Sequence, residues 1–260
     1  MRCVRVLELG EIQMLLDWAA VEGWNPGLGD AKTFQAADPQ GFLGAFVDGV
    51  MVAAIAAVAY DEKFGFIGLY ICHPDCRGQG HGRTVWEAGM TYLGLRTVGL
   101  DGVPEQQSNY ASMGFVSAYE TVRMSGTLRA TPPAVVSVES VASIRELDRF
   151  PAKRDGFLSR WIAAPNRAWR SDNGYAVVRE CGEGQKVGPL FAADLDDALD
   201  LLGPVEGMVQ IDVPVGQAEF LSRLEALGLV PGFRTARMYR GLAPALDMSR
   251  VFGITSLELG

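Results

Sequence analysis

A mixed α/β fold, arranged as two similar units in tandem, is predicted for this chain by three observations. The first half alternates apolar runs of strand length with segments whose apolar residues fall at helical spacing, the pattern of a sheet covered by helices. The segment that closes this half recurs near the end of the second, as in a degenerate repeat. A proline pair stands between the two, where either kind of backbone ladder must stop.

The elements follow in order. Met1-Arg2-Cys3-Val4-Arg5 runs straight into a strand-like segment. Ile12, Leu15, Leu16 and Ala19 give residues 11–22 a helical apolar face, and a loop rich in Gly, Pro and Asp occupies 23–30. Residues 42–47 and 50–60 form a predicted hairpin, because Asp48-Gly49 supplies the left-handed backbone of a two-residue turn. Residues 64–72 make a third apolar strand, stopped by His73-Pro74. A helix over 80–93, a strand over 97–100, a short helix over 104–113 and a closing strand over 115–125 complete the half.

The repeat is carried by two matches in the same order. Residues 114–124 lie over 228–238 with Gly, Val, Thr, Arg and Met coinciding, and Leu100-Asp101-Gly102-Val103-Pro104 echoes Ile211-Asp212-Val213-Pro214. The expected division is therefore a unit over 1–128, a linker over 129–135 containing Thr131-Pro132-Pro133, and a second unit over 136–260.

Composition narrows the function. Hydrophobic residues make up 48% of the 260 and charged residues 21%, ordinary globular usage. The net charge of -8 argues against a nucleic-acid binder, which needs a basic footprint. The most apolar run, Val50 to Tyr60, is too short to span a bilayer, and the first residues lack a signal-like apolar region. Four scattered cysteines suit reduced thiols. Together these predict a cytoplasmic protein with neither a nucleic-acid nor a membrane partner.

The most informative segment is Tyr70-Ile71-Cys72-His73-Pro74-Asp75-Cys76-Arg77-Gly78-Gln79-Gly80-His81-Gly82-Arg83. An apolar strand ends at a proline, and three alternating glycines open a helix. Glycines let backbone N–H groups converge on one point, and the helix adds its positive end, so the whole suits a pyrophosphate. Arg77 and Arg83 add counter-charge. A dinucleotide fingerprint needs a glycine where Arg83 stands, and a P-loop needs a Gly-Lys-Ser/Thr that is absent. The plainer alternative is a tight strand-to-helix turn.

Arg-x-x-Gly-x-Gly after a strand ending in His-Pro resembles the GNAT acetyltransferase superfamily, over residues 1 to about 126. Asn109-Tyr110-Ala111-Ser112-Met113-Gly114-Phe115 resembles its other signature, a tyrosine four residues before Gly-Phe. The resemblance implies acetyl-CoA as cofactor, held by Tyr70, Ile71 and Cys72 on a splayed strand, by Arg77, Gly78, Gln79, Gly80, His81, Gly82 and Arg83 in the cradle, and by Asn109. It implies Tyr110 as the acid that protonates the departing thiolate. A tyrosine that only packs its ring is the bland reading. The acceptor pocket is expected from Trp24, Asn25 and Asp30 with Tyr60 and Phe64, and the acceptor is expected to be a small-molecule amine. A homodimer stays open, as does the general base: Asp61, Glu62 and Asp30 are the nearest acids in sequence.

The second unit resembles the diverged C-terminal domain of the YitH/HolE-like tandem type. After Val187-Gly188-Pro189-Leu190-Phe191 it carries Ala192-Ala193-Asp194-Leu195-Asp196-Asp197 in place of a cradle, and Leu224 stands where Tyr110 stands in the first. Aspartates at a helix start suit capping and repel a pyrophosphate, so this copy is expected to be inert. Cys72, His73, Cys76 and His81 do not suit a metal, since neighbouring strand residues face opposite ways. With His73 and His81 the only histidines and no Gly-x-Ser-x-Gly elbow, a serine hydrolase is poorly supported. The rival to an enzyme is a non-catalytic acyl-CoA sensor, which would need the cradle without Tyr110.

Overall fold

The computed structural model describes residues 2–132 and 135–260. The chain opens with β1 (Arg2–Val6), α1 (Leu9–Val21), α2 (Asp30–Ala37), β2 (Phe42–Val47), β3 (Val50–Ala59) and β4 (Phe64–Cys72). It continues through α3 (His81–Leu93), β5 (Thr97–Gly102), α4 (Pro104–Ser112) and β6 (Val116–Leu128). The second half runs β7 (Val136–Ser137), α5 (Asp155–Trp161), β8 (Arg167–Arg170), β9 (Tyr175–Glu180), β10 (Gln185–Phe191), α6 (Leu195–Leu202), β11 (Gly207–Pro214), α7 (Ala218–Ala226), β12 (Val230–Arg240) and β13 (Val251–Gly253). The elements expected in the first half are present. The one addition is α2, whose four buried residues include Ala31 and Phe34, too few for a periodicity to register. Of the expected linker, Pro133 and Ala134 lie outside the described residues, as does Met1.

Local chemistry explains the boundaries. Asp48 and Gly49 both take positive φ in the β2–β3 turn, as a primed turn demands. Glu8 caps α1, with Glu11 reaching back to the cap's N–H. Asp194 accepts from the Asp197 N–H at the start of α6, the capping role expected for that acidic run.

The strands form one mixed sheet in the order β1-β2-β3-β4-β5-β12-β6-β11-β10-β9-β8-β7, with β13 beside β10. The two halves have exchanged their closing strands. β12, from the second half, lies between β5 and β6, and β6, from the first half, pairs with β11. Thr121 pairs with Thr235 across the β6–β12 ladder, and these are the residues that coincide in the internal repeat. The ladder is therefore a pseudo-two-fold axis. We retain 1–128 and 136–260 as the proposed halves of the chain, each lending its last strand to the other.

Two buried ion pairs flank this axis, each joining one half of the chain to the other. Arg123 on β6 donates from Nε and Nη2 to Asp212 on β11, at 2.8 and 3.0 Å. Arg237 on β12 donates likewise to Asp101 on β5, at 2.8 Å for each bond. They are repeat equivalents. Burial pushes both carboxylates up, but Asp212 ends below the ordinary range because Arg123, Lys186 and Arg179 surround it. Asp101 ends above it, since Asp212 and Glu258 oppose the pull of Arg237.

The half-sites diverge at the splayed strands. β10 runs parallel to β11 only to Val187↔Ile211; beyond it, β13 pairs with Leu190 and Phe191, and the Ile254 N–H donates to the Asp212 carbonyl at 3.0 Å. The chain's own β13 thus fills the second half's cleft. A Cβ on Gly188 would stand 2.4 Å from the Thr255 carbonyl.

Because removing one member strands a buried charge, Arg123→Met is expected to cost about 3–5 kcal/mol in denaturant unfolding. Adding Asp212→Leu is expected to restore most of that loss, a non-additivity read directly from the double-mutant cycle.

Candidate active site

β4 pairs with β5 from Phe64↔Thr97 to Ile67↔Leu100 and no further. Beyond that point β4 bulges: Leu69 takes φ 48° and the β3 register shifts between Ala54 and Ala56. Adjacent strands that part leave unpaired backbone on both facing edges. The gap between them is a cavity of about 560 Å³ whose lining includes Gly68 through Cys72 on one side and Leu100, Asp101 and Val103 on the other.

One end of the cavity leads to the glycine turn. Pro74–Cys76 form a single helical turn; Arg77 donates from Nε to the Cys72 carbonyl at 3.1 Å and forms an ion pair with Glu22. Gly78 and Gly80 take φ 74° and 83°, and a Cβ at either would meet no atom within 4 Å. Open space at two left-handed glycines ahead of a helix is a cradle that side chains would fill. Gly80 caps α3, His81 is buried at its first position, and a Cβ on Gly82 would sit 3.0 Å from the Tyr70 hydroxyl. The turn therefore fits a pyrophosphate. Gln79 closes it by donating to the Asp75 carbonyl at 3.3 Å. Arg83 points outward, bonded to Glu87 at 2.7 Å, so its counter-charge is already engaged.

The other wall carries Tyr110 and Asn109 on α4, both lining the cavity. Tyr110 stacks on Trp86 with ring centroids 5.6 Å apart and is 8% exposed. Burial, with Tyr70 nearby, pushes its phenol up to about 12. Burial also raises the Tyr70 phenol and, with Cys76, the Cys72 thiol.

The expected acceptor residues divide. Trp24 lines the cavity, and its carbonyl accepts from Arg123 at 3.1 Å and from Lys186 at 2.8 Å. The other four are not among the lining residues, each for a packing reason. The Asn25 side chain donates to the Glu183 carbonyl at 3.1 Å and to Gln210 at 3.0 Å, tying the loop to the second half. Asp30 accepts from the Gly27 N–H at 2.8 Å and is ion-paired with Arg179. Tyr60 donates to the Leu259 carbonyl at 2.8 Å, and Phe64 packs against Tyr60, Phe150 and Tyr239. Of the acids proposed as base, Asp61 caps its own turn through the Lys63 and Phe64 N–H groups, both at 2.7 Å.

What the sequence reading missed comes from the second half. Phe233 and Thr235 of β12, with Leu257 and Glu258 beyond β13, complete the wall. Glu258 is 2% exposed, and neither carboxylate oxygen has a hydrogen-bond partner. Its backbone crosses β4 so closely that a Cβ on Gly68 would stand 1.9 Å from the Glu258 carbonyl oxygen. Gly68 invited this crossing, but a short apolar tail carries no periodicity that would point to it.

Comparison with known proteins agrees with this geometry. Residues 10–122 match the acetyltransferase (GNAT) family and residues 144–253 an acetyltransferase (GNAT) domain. Holothin acyltransferase of Pseudoalteromonas sp. (strain SANK 73390) is 32% identical over 271 residues, covering 97% of this chain and 92% of that protein. A putative acetyltransferase from Pyrococcus horikoshii superposes with a TM-score of 0.86 at 20% identity, covering 100% of this chain and 96% of that one. A tandem GNAT protein from the clavulanic acid biosynthesis pathway superposes with a TM-score of 0.60 at 14% identity, covering 94% and 100%. The chain belongs to the GNAT acetyltransferase family, in its tandem form, and is an acyltransferase.

Proposed function

We propose that the chain moves an acetyl group from acetyl-CoA to the amine of a small molecule by direct attack, with the first half holding the coenzyme. One arrangement supports this reading: a cleft opened by the parting of β4 from β5, with the glycine cradle at one end and the Tyr110 wall beside it. When bound, acyl-CoA supplies a thioester whose carbonyl is the electrophile. Gly78 and Gly80 leave backbone N–H groups free to hold its pyrophosphate. The β4 edge from Gly68 to Cys72, unpaired towards β5, offers N–H donors to orient and polarise the carbonyl. Tyr110 holds a proton at its hydroxyl and gives it to the departing sulfur.

The second half has no matching machinery. Its cleft holds β13, and Leu224 is buried where Tyr110 would stand. The Pseudoalteromonas relative is named for acyl transfer to holothin; for this chain holothin is one acceptor to screen among small amines.

Three outcomes test the reading. At acetyl-CoA one hundred times its dissociation constant, the wild type is expected to gain about 2.7 kcal/mol in thermal unfolding, and Gly80→Glu to lose that increment. Tyr110→Phe is expected to keep the increment while kcat for CoA release falls at least about 10²-fold. Because the raised phenol remains protonated below pH about 12, kcat is expected to show no alkaline decline up to roughly pH 10 in a steady-state pH profile.

A further inference from the structure

We propose that Glu258 receives the acceptor: its carboxylate binds the incoming ammonium and takes the proton that nitrogen must lose before it attacks. This rests on the acetyl-transfer reading and deepens it by naming the acceptor class, a cationic amine.

The buried cations of the molecule already have partners other than Glu258. Arg123 is paired with Asp212, Arg237 with Asp101 and Arg179 with Asp30. Lys186, whose ammonium burial pulls below its usual range, donates to the Trp24 carbonyl at 2.8 Å. Asp38 accepts from Tyr92 and Asp148 from Arg154; among the described residues that leaves Glu258 as the buried carboxylate with both oxygens unpartnered. A carboxylate removed from water without hydrogen bonds is costly, and folded proteins keep such groups where they have work to do. Position supplies the second argument. Glu258 lines the cavity and lies across Gly68, one residue before the bulge at Leu69 where the thioester carbonyl would be oriented. β4 has no carboxylate of its own.

The segment is held firmly enough to act. The Tyr60 hydroxyl donates to the Leu259 carbonyl, and the Leu259 N–H donates to Ser256 Oγ at 3.0 Å. The charged and titratable groups around Glu258 include Asp101 on β5, Arg123 on β6, Arg179 on β9, Cys181, and Lys186 on β10.

The ammonium gives one proton to Glu258; the freed nitrogen pair forms the C–N bond. The C–S bond breaks with its electrons on sulfur, which takes the Tyr110 proton. The nitrogen's second proton returns to Tyr110, and Glu258 releases its own to solvent.

Thermal unfolding of wild type and Glu258→Gln is compared alone, with acetyl-CoA, and with acetyl-CoA plus butylamine or uncharged butanol. CoA release is then followed over a panel of primary amines against pH. Glu258→Gln is expected to melt no lower than wild type, to keep the acetyl-CoA increment and to lose the butylamine increment. Its kcat/KM should fall about 10²-fold at neutral pH and recover as pH approaches the amine's own pKa. A lower melting temperature without ligand identifies Glu258 as a mere counter-ion of Arg179 and Lys186, and overturns the proposal. So does an unchanged amine increment and pH profile, or a wild type that gains nothing from any amine while keeping its acetyl-CoA increment. Loss of the acetyl-CoA increment in the wild type instead overturns the donor reading, a separate result.

Discussion

The exchange of closing strands is the constraint from which the rest of this molecule follows. β5 has β12 on its far side only because the second half lends it, and β6 reaches β11 in return. A sheet shared this way has no internal edge to expose at its centre. The buried pairs Arg123–Asp212 and Arg237–Asp101 hold the register. A slip of one residue would turn each arginine to the opposite face and separate it from its aspartate. The desolvation that such pairs require makes them modest as glue. Their value here lies in permitting one alignment of two similar ladders.

From the same topology come two clefts with opposite contents. Beyond Ile67↔Leu100 the first stays open, lined by an unpaired strand edge. Beyond Val187↔Ile211 the second is taken by β13. Gly68 and Gly188 stand at corresponding points, and both lack a side chain because the 254–260 segment runs against them. One continuous stretch therefore fills the second cleft and then reaches the first.

Legibility in the sequence tracked how local each cause was. The β2–β3 turn, the glycine cradle and the position of Tyr110 depend on residues within a few places of one another, and periodicity or a motif exposes them. Strand exchange does not: the repeat shows that β6 and β12 are alike, but likeness says nothing about which partner each pairs with. The acceptor side suffered most. Asn25 and Asp30 lie in a polar loop that reads like a pocket wall, yet Gln210, Glu183 and Arg179, more than 140 residues away, claim their side chains. Glu258 was hidden for the converse reason, standing in an apolar tail that gives no hint of the cavity it meets.

Long-range placement also ties the second half to the first. The first half holds the cradle and Tyr110, but the strand that covers its β5 edge, its Phe233 and Thr235 wall and its buried carboxylate all come from the second. Losing the strand or the tail would open β5 and remove Glu258 from the cavity wall. The second half is thus bound by what it supplies to the first rather than by what it once resembled: Leu224 is buried where Tyr110 stands in the first half, and Asp194 caps α6 where the first half has a glycine cradle.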